Sequence, residues 1–163
     1  REKIRLFMNN ESFTHKMASL NLPLETRNIG FQKLREASLI HSMLGIDDGT
    51  AVYKITRLRI LADEPAAIHI SYLPENLFPQ IQRDGPDIRS VFEYIHNWGY
   101  RDLAADNMQL TVSTLSKKER TSLHIQGYAP SLVLTSRCIE KSTGTVVEIA
   151  RTIYRSDKFI FEL

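Results

Sequence analysis

The sequence is short of the features that would announce a function from composition alone. There is a single cysteine, Cys138, in 163 residues, which excludes an internal disulfide and suits a reducing compartment. It lies in the strand-like run 132–139, where a thiol reads as a small buried residue rather than a nucleophile. No apolar stretch approaches the roughly 18 residues of a membrane span, and the opening Arg1-Glu2-Lys3-Ile4-Arg5 lacks the apolar core of a signal peptide. These absences point to a cytoplasmic chain without a membrane partner. An excess of one charge is also missing. Lys and Arg total 21 against 19 Asp and Glu, and a net charge of +2 argues against nucleic-acid binding by this segment. The histidines show no His-x-x-x-His spacing and none pairs with the cysteine, so no metal site is expected. Gly-x-Gly-x-x-Gly, Walker and Gly-x-Ser-x-Gly motifs are absent too, and no cofactor is expected.

What is present is ordinary in amount and informative in order. With 42% hydrophobic and 25% charged residues, the chain has the composition of a globular protein. Its length suits one domain over 1–163, able to bury roughly 70% of its extended surface without disulfides or metal. The most informative stretch runs from Tyr53 to Pro74. Two segments with the two-residue period of strands flank a turn at Ala62-Asp63-Glu64. Arg57 and Arg59 fall on one face of the first, about 7 Å apart and in line with Tyr53 and Ile55. Two guanidiniums so placed suit a bidentate anion site better than a core.

The rest alternates helices with strands. A short helix is expected from Ser12 to Leu20, capped by Asn10 or Ser12 and broken by Pro23, followed by a strand over 24–32. A second helix runs over 36–44, stopped by Gly45. Asp47-Asp48-Gly49 is a turn, and 83–87 a loop whose Asp87 caps a helix through Ser90, Phe92 and Ile95. An extended run over 101–115 has Met108, Leu110 and Val112 alternating with polar residues. Ser116 to Glu119 matches a capping box. Two closing strands, 131–140 and 146–163, are joined by the turn Ser142-Thr143-Gly144. Long hairpins with few helices exclude a regular βαβ repeat and indicate an α+β fold with a largely antiparallel sheet. In the last strand Glu148, Ala150, Thr152 and Tyr154 share a face, either one wall of a polar cavity or a solvated side of the sheet.

In order along the chain, Arg57-Leu58-Arg59, Glu64-Pro65, Ser71-Tyr72-Leu73-Pro74, Asp87 to Phe92 and Val147 to Asp157 resemble the UTRA effector-binding domain. That domain is the C-terminal half of the HutC subfamily of GntR-type transcription regulators. The weaker opening Ser12-Phe13-Thr14 fits as well. The resemblance implies a chorismate lyase-like fold with a ligand pocket, and a winged helix-turn-helix domain ahead of this segment. None of these residues supplies that domain, so operator DNA would be contacted only through it.

The resemblance also implies roles. Where relatives hold the phosphate of phosphorylated amino sugars, this sequence has Arg57, Arg59 and Ser90, joined by the segment Phe13-Thr14. Glu148 and Tyr154 match positions that face the polar body of the effector. Two residues depart from the family pattern. His69 stands where Glu is common and carries no fixed negative charge for an ammonium. Phe92 stands where Tyr is common and lacks its hydroxyl. The expected partners are a small anionic effector such as a phosphorylated sugar, and a second copy of the chain. Two rival readings remain: a chorismate lyase-like enzyme using Arg57, Arg59 and Glu148, or a dimerisation module with a vestigial pocket. No nucleophile poised by a base supports catalysis, and the chain is expected not to be an enzyme.

Overall fold

The computed structural model describes residues 2–8, 13–34 and 38–163. Among them a six-stranded sheet has the order β2-β3-β4-β7-β6-β5. Its strands are β2 (Leu24–Leu34), β3 (Val52–Leu61), β4 (Glu64–Pro74), β5 (Leu103–Thr114), β6 (Pro130–Glu140) and β7 (Thr145–Arg155). Every neighbouring pair is antiparallel. A separate parallel pair joins β1 (Ile4–Phe7) to β8 (Phe159–Glu162). The helices are short: α1 (Phe13–Ser19), α2 (Leu39–Leu44), α3 (Ile81–Asp84), α4 (Val91–Asn97) and α5 (Lys117–Leu123). This is the α+β architecture that the strand periodicity predicts.

Strand parity decides which side chains meet. One face of β3, β4, β6 and β7 carries Leu58, Ile60, Ile68, Ile70, Val133 and Ile153, and Leu115 and Leu123 of the α5 region cover it. Each such side chain, once fully buried, contributes roughly 1.5–3 kcal/mol. The opposite face has two apolar clusters. In the first, Tyr53, Ile55 and Leu73 pack under Phe78, Ile81 and Ile95 of the α3–α4 region. In the second, Ala67 and Tyr154 pack under Leu6, Phe13, Met17 and Phe159 from β1, α1 and β8. The centre of that face lies between these two covers. Close approach helps hold the first: a side chain at Gly85 would collide with the Phe31 ring, itself stacked on Tyr53 at 5.3 Å.

Several local expectations change. Ser90, not Asp87, caps α4, its hydroxyl accepting from the Glu93 amide at 3.2 Å. Asp87 instead ends a 3-10 turn over Gly85–Asp87, after which Ile88 is extended. The loop expected at 83–87 is therefore helical turn. The final run is two strands, because the turn at 156–158 divides β7 from β8 and Arg155 grips Asp157 across it at 2.7 Å. In β5 the alternation is broken by a bulge between Asp106 and Gln109, with Asn107 at φ 48. Leu110 and Val112 of this edge strand remain exposed, at 37% and 69%. Gly45 ends α2 in the left-handed conformation at φ 68, as its position predicts. The cap positions Asn10 and Ser12, and the helix start at 36, lie outside the described residues.

Candidate functional site

The centre of the covered face is polar, which is unusual for a buried sheet surface. Arg57 pairs in register with Asn28 on β2 and His69 on β4, and His69 pairs with Thr152 on β7. One row on, Arg59 lies between Thr26 and Ala67, and Ala67 opposes Tyr154. Alternation therefore brings residues far apart in the chain onto one patch. Arg57 and Arg59 are 1% and 4% exposed, Ser71 is fully buried, and Glu148 is 8% exposed.

Neutral groups hold both guanidiniums. Arg57 Nη1 donates to the Arg89 carbonyl at 2.6 Å, and its Nη2 donates to His69 Nδ1 at 2.9 Å and Ser71 Oγ at 3.4 Å. Arg59 Nη1 donates to Thr14 and Thr26 hydroxyls at 3.1 and 3.0 Å, and its Nη2 lies 3.4 Å from the same His69 Nδ1. Its guanidinium also stands 5.7 Å from the Phe13 ring centre, a cation–π contact. Among the described residues no carboxylate forms an ion pair with either arginine. Five buried polar atoms in the cluster have no partner among the described residues: Asn28 Oδ1, Arg57 Nε, Arg59 Nε, His69 Nε2 and Glu148 Oε2. An unpartnered buried polar atom costs about 1–3 kcal/mol, so their concentration in one patch calls for a functional account.

The ionisation states follow from burial and from one another. Burial first, then Arg59, pulls Arg57 down to about 9, and burial pulls Arg59 down to about 10. Both therefore stay charged at neutral pH. Burial and then the two arginines hold His69 well below its ordinary value, so its ring is neutral. Burial raises the Glu148 carboxyl, against the opposing pull of a Ser71 hydrogen bond and the arginines. Tyr154 is pushed up to about 12, mainly by burial, and keeps its proton. The patch therefore holds two fixed positive charges and one carboxyl driven toward its neutral form. Such an arrangement favours an anion.

Most residues singled out from sequence meet here. Arg57, Arg59, His69 and Thr14 are joined directly, and Phe13 lies against both Arg59 and Tyr154, with ring centres 5.8 Å apart in the latter case. Glu148 reaches Arg57 through Ser71. Ser90 adjoins Arg89, whose carbonyl binds Arg57, but its own hydroxyl serves as the α4 cap. Phe92 does not join the patch: it is 49% exposed and stacks on His96 at 5.7 Å. Thr26, Asn28, Ser71 and the Arg89 carbonyl were not expected as site groups. Alternation in β2 places Thr26 and Asn28 on a common face, but only the pairing register turns that face toward the arginines. Elsewhere, Gln32, Lys33 and Leu34 line an open groove of about 840 Å³ with Asp48, Gly49 and Thr50. It contains none of these residues.

Comparison with known proteins gives the family and the fold. The family model described as the UTRA domain matches residues 19–160. The HTH-type transcriptional repressor NagR of Bacillus subtilis (strain 168) is 28% identical over 150 residues, covering 92% of this chain and 61% of that protein. The chain thus spans about three-fifths of that relative's length. Among solved structures, the effector domain of PhnF from Mycobacterium smegmatis superposes with a TM-score of 0.85, covering 98% of this chain and 97% of that one at 17% identity. A GntR-family transcriptional regulator from Enterococcus faecalis V583 gives a TM-score of 0.73, covering 85% and 99% at 18% identity. At such identities these structures speak to the fold, which is chorismate lyase-like.

Proposed function

Because the chain belongs to the UTRA domain family, we propose that it is the effector-sensing domain of a bacterial GntR-superfamily, HutC-subfamily transcription regulator. Its effector is a small anionic metabolite, a phosphorylated sugar or a derivative of one. The observation that carries this reading is the buried pair Arg57 and Arg59, held by neutral groups with no ion-paired carboxylate among the described residues. Guanidiniums bind phosphate or carboxylate oxygens through charge-assisted, often bidentate hydrogen bonds. The unpartnered Nε atoms are such donors.

The effector sits between the arginine strand, the Phe13-Thr14 segment, the Ser90 end of α4 and β7. Thr14 belongs to α1, which together with β1 forms the earliest described part of the chain. A ligand competing for Arg59 therefore perturbs the segment nearest an upstream winged helix-turn-helix domain. In a cytoplasmic homodimer this movement changes the relative placement of two DNA-binding heads, and with it operator affinity. Such coupling must be reciprocal: operator binding alters effector affinity by the same factor.

The deciding experiment is a thermal-shift screen of sugar phosphates, amino-sugar phosphates, phosphonates and carboxylates, repeated on Arg59→Ala. A ligand at a hundredfold excess over Kd stabilises the chain by roughly 2.7 kcal/mol. Stabilisation by phosphorylated compounds that disappears in the variant supports the reading. A best ligand that is uncharged and indifferent to the substitution refutes it, and silence toward every metabolite favours a vestigial pocket. Turnover of chorismate, lost on Arg57→Ala, would replace sensing by catalysis. For coupling, operator binding by the full-length protein is compared with and without effector, and equal affinities exclude it.

A further inference from the structure

The environment of His69 dictates which of its nitrogens carries the proton. A guanidinium only donates, and Nη2 atoms of both arginines lie within reach of His69 Nδ1, at 2.9 and 3.4 Å. Nδ1 must therefore present its lone pair, and the ring proton resides on Nε2. A second proton on Nδ1 would set a cation against two guanidiniums and break both contacts. Nε2 itself is buried without a partner among the described residues. His69 pairs with the buried Thr152, and on the next row of this face Ser71 pairs with Ala150, which is part-exposed together with its β6 partner Ser136. His69 is thus the point where the buried charges approach the accessible part of the face.

Resting on the anion-sensing reading above, we propose that His69 is a fixed hydrogen-bond donor to the effector and a determinant of its specificity. Through Nε2–H it selects an anionic ligand that offers an uncharged oxygen (hydroxyl, ether or carbonyl) at that point, and it rejects one that offers an amine. A protonated amine has no lone pair for this donor and meets two guanidiniums. The carboxyl nearest the arginines, Glu148, is pushed by burial toward its neutral form and is already bonded to Ser71, so it offers little compensation. Its unpartnered Oε2 suits a ligand hydroxyl instead. Among the described residues the charges that act on the ring are Arg57 and Arg59 on β3; on β7, Glu148 interacts with both arginines and Tyr154 with Arg59. Both arginines oppose protonation of His69, so its donor role persists across the physiological pH range.

Two measurements test this. The first needs no ligand and no fold-threatening variant: nitrogen NMR of the histidine-labelled chain, with the His69 signal identified by its loss in His69→Gln. The expected spectrum shows a protonated Nε2 and an unprotonated Nδ1, unchanged from about pH 8 to pH 5, through the range where an ordinary histidine titrates. A protonated Nδ1, or titration near the ordinary value, overturns the proposal. The second is calorimetric affinity for a matched pair, glucose 6-phosphate and glucosamine 6-phosphate, with inorganic phosphate as the anion control. Preference for the hydroxyl compound by about tenfold or more, the worth of one good hydrogen bond, and its loss in His69→Gln support the assignment. Phosphate-dependent binding with equal or tighter affinity for the amino compound overturns the His69 role and leaves anion sensing intact. Failure of all three probes to bind overturns the selection proposed for His69, and anion sensing then stands or falls on the wider screen.

Discussion

The two faces of the same strands are built on opposite terms. On one side of β3, β4 and β7, Leu58, Ile68, Ile70 and Ile153 form a continuous apolar surface under the α5 region. One residue along each strand, the other side presents Arg57, Arg59, His69 and Glu148, buried nearly as deeply. The first face lowers the free energy of the fold through burial. The second raises it, because charges are removed from water and several polar atoms have no partner among the described residues. The chain carries that cost between two apolar clusters that hold the polar residues in place. A structure that sacrifices stability at one patch and recovers it on the reverse of the same strands separates folding from recognition. Substitutions should therefore separate them as well.

The largest effect is expected on the apolar face. Ile153→Ala, at a fully buried position, should lower unfolding free energy by about 2–5 kcal/mol, read by urea denaturation. Affinity of the folded fraction for an anionic ligand should stay the same. A loss of affinity equal to the loss of stability would show that the two faces are not independent. On the polar face the pattern should invert. Arg57→Met replaces a buried charge by an apolar side chain of similar length. Relief of the buried charge offsets part of the loss of its bonds to the Arg89 carbonyl, His69 and Ser71. Stability should therefore fall by about 1–3 kcal/mol, while phosphate-dependent binding weakens about tenfold to a hundredfold. Marked destabilisation with binding retained would mean that the arginine is structural.

Smaller effects sharpen the contrast. Ser116 caps α5, the helix region over the apolar face, accepting from the Glu119 amide at 3.1 Å while the Glu119 carboxylate accepts from the Ser116 amide at 2.9 Å. Ser116→Ala should cost about 1 kcal/mol in denaturation, with no change in the ligand-induced thermal shift. Glu148→Gln should act through pH. Because burial raises the carboxyl's folded pKa above its unfolded value, the folded state binds the extra proton. The stability this contributes is complete below the unfolded pKa and is lost as pH rises through the folded one. The variant should therefore match the parent in acid and exceed it at neutral pH, with a flatter stability profile between. A parallel pair of profiles would refute the assigned burial of charge.

Much of this was legible without coordinates, for identifiable reasons. The β3–β4 hairpin followed from period-two alternation around a polar turn, and the pairing of Arg57 and Arg59 on one face followed from the same period. The α5 capping box could be read because its two hydrogen bonds join residues three apart. Local chemistry of this kind needs no tertiary partner. Boundaries set by competition were harder to read. Asp87 and Ser90 are both good caps, and the choice went to Ser90 because Asp87 was already part of a 3-10 turn. Val112 had the alternation of a core strand and ended exposed, because sequence periodicity does not reveal that β5 is an edge.

By itself, the sequence determined the α+β character, the strand bearing the two guanidiniums and the family to which the chain belongs, since each depends on local spacing and residue order. Tertiary structure alone decided that the arginines are buried with no ion-paired carboxylate among the described residues and that Thr26 and the Arg89 carbonyl attend them. It also directed Phe92 outward and left His69 with a single possible proton position. Those outcomes depend on strand register and on which cover lies over which face. Pairing energies between residues distant in the chain settle both, and no local pattern encodes them.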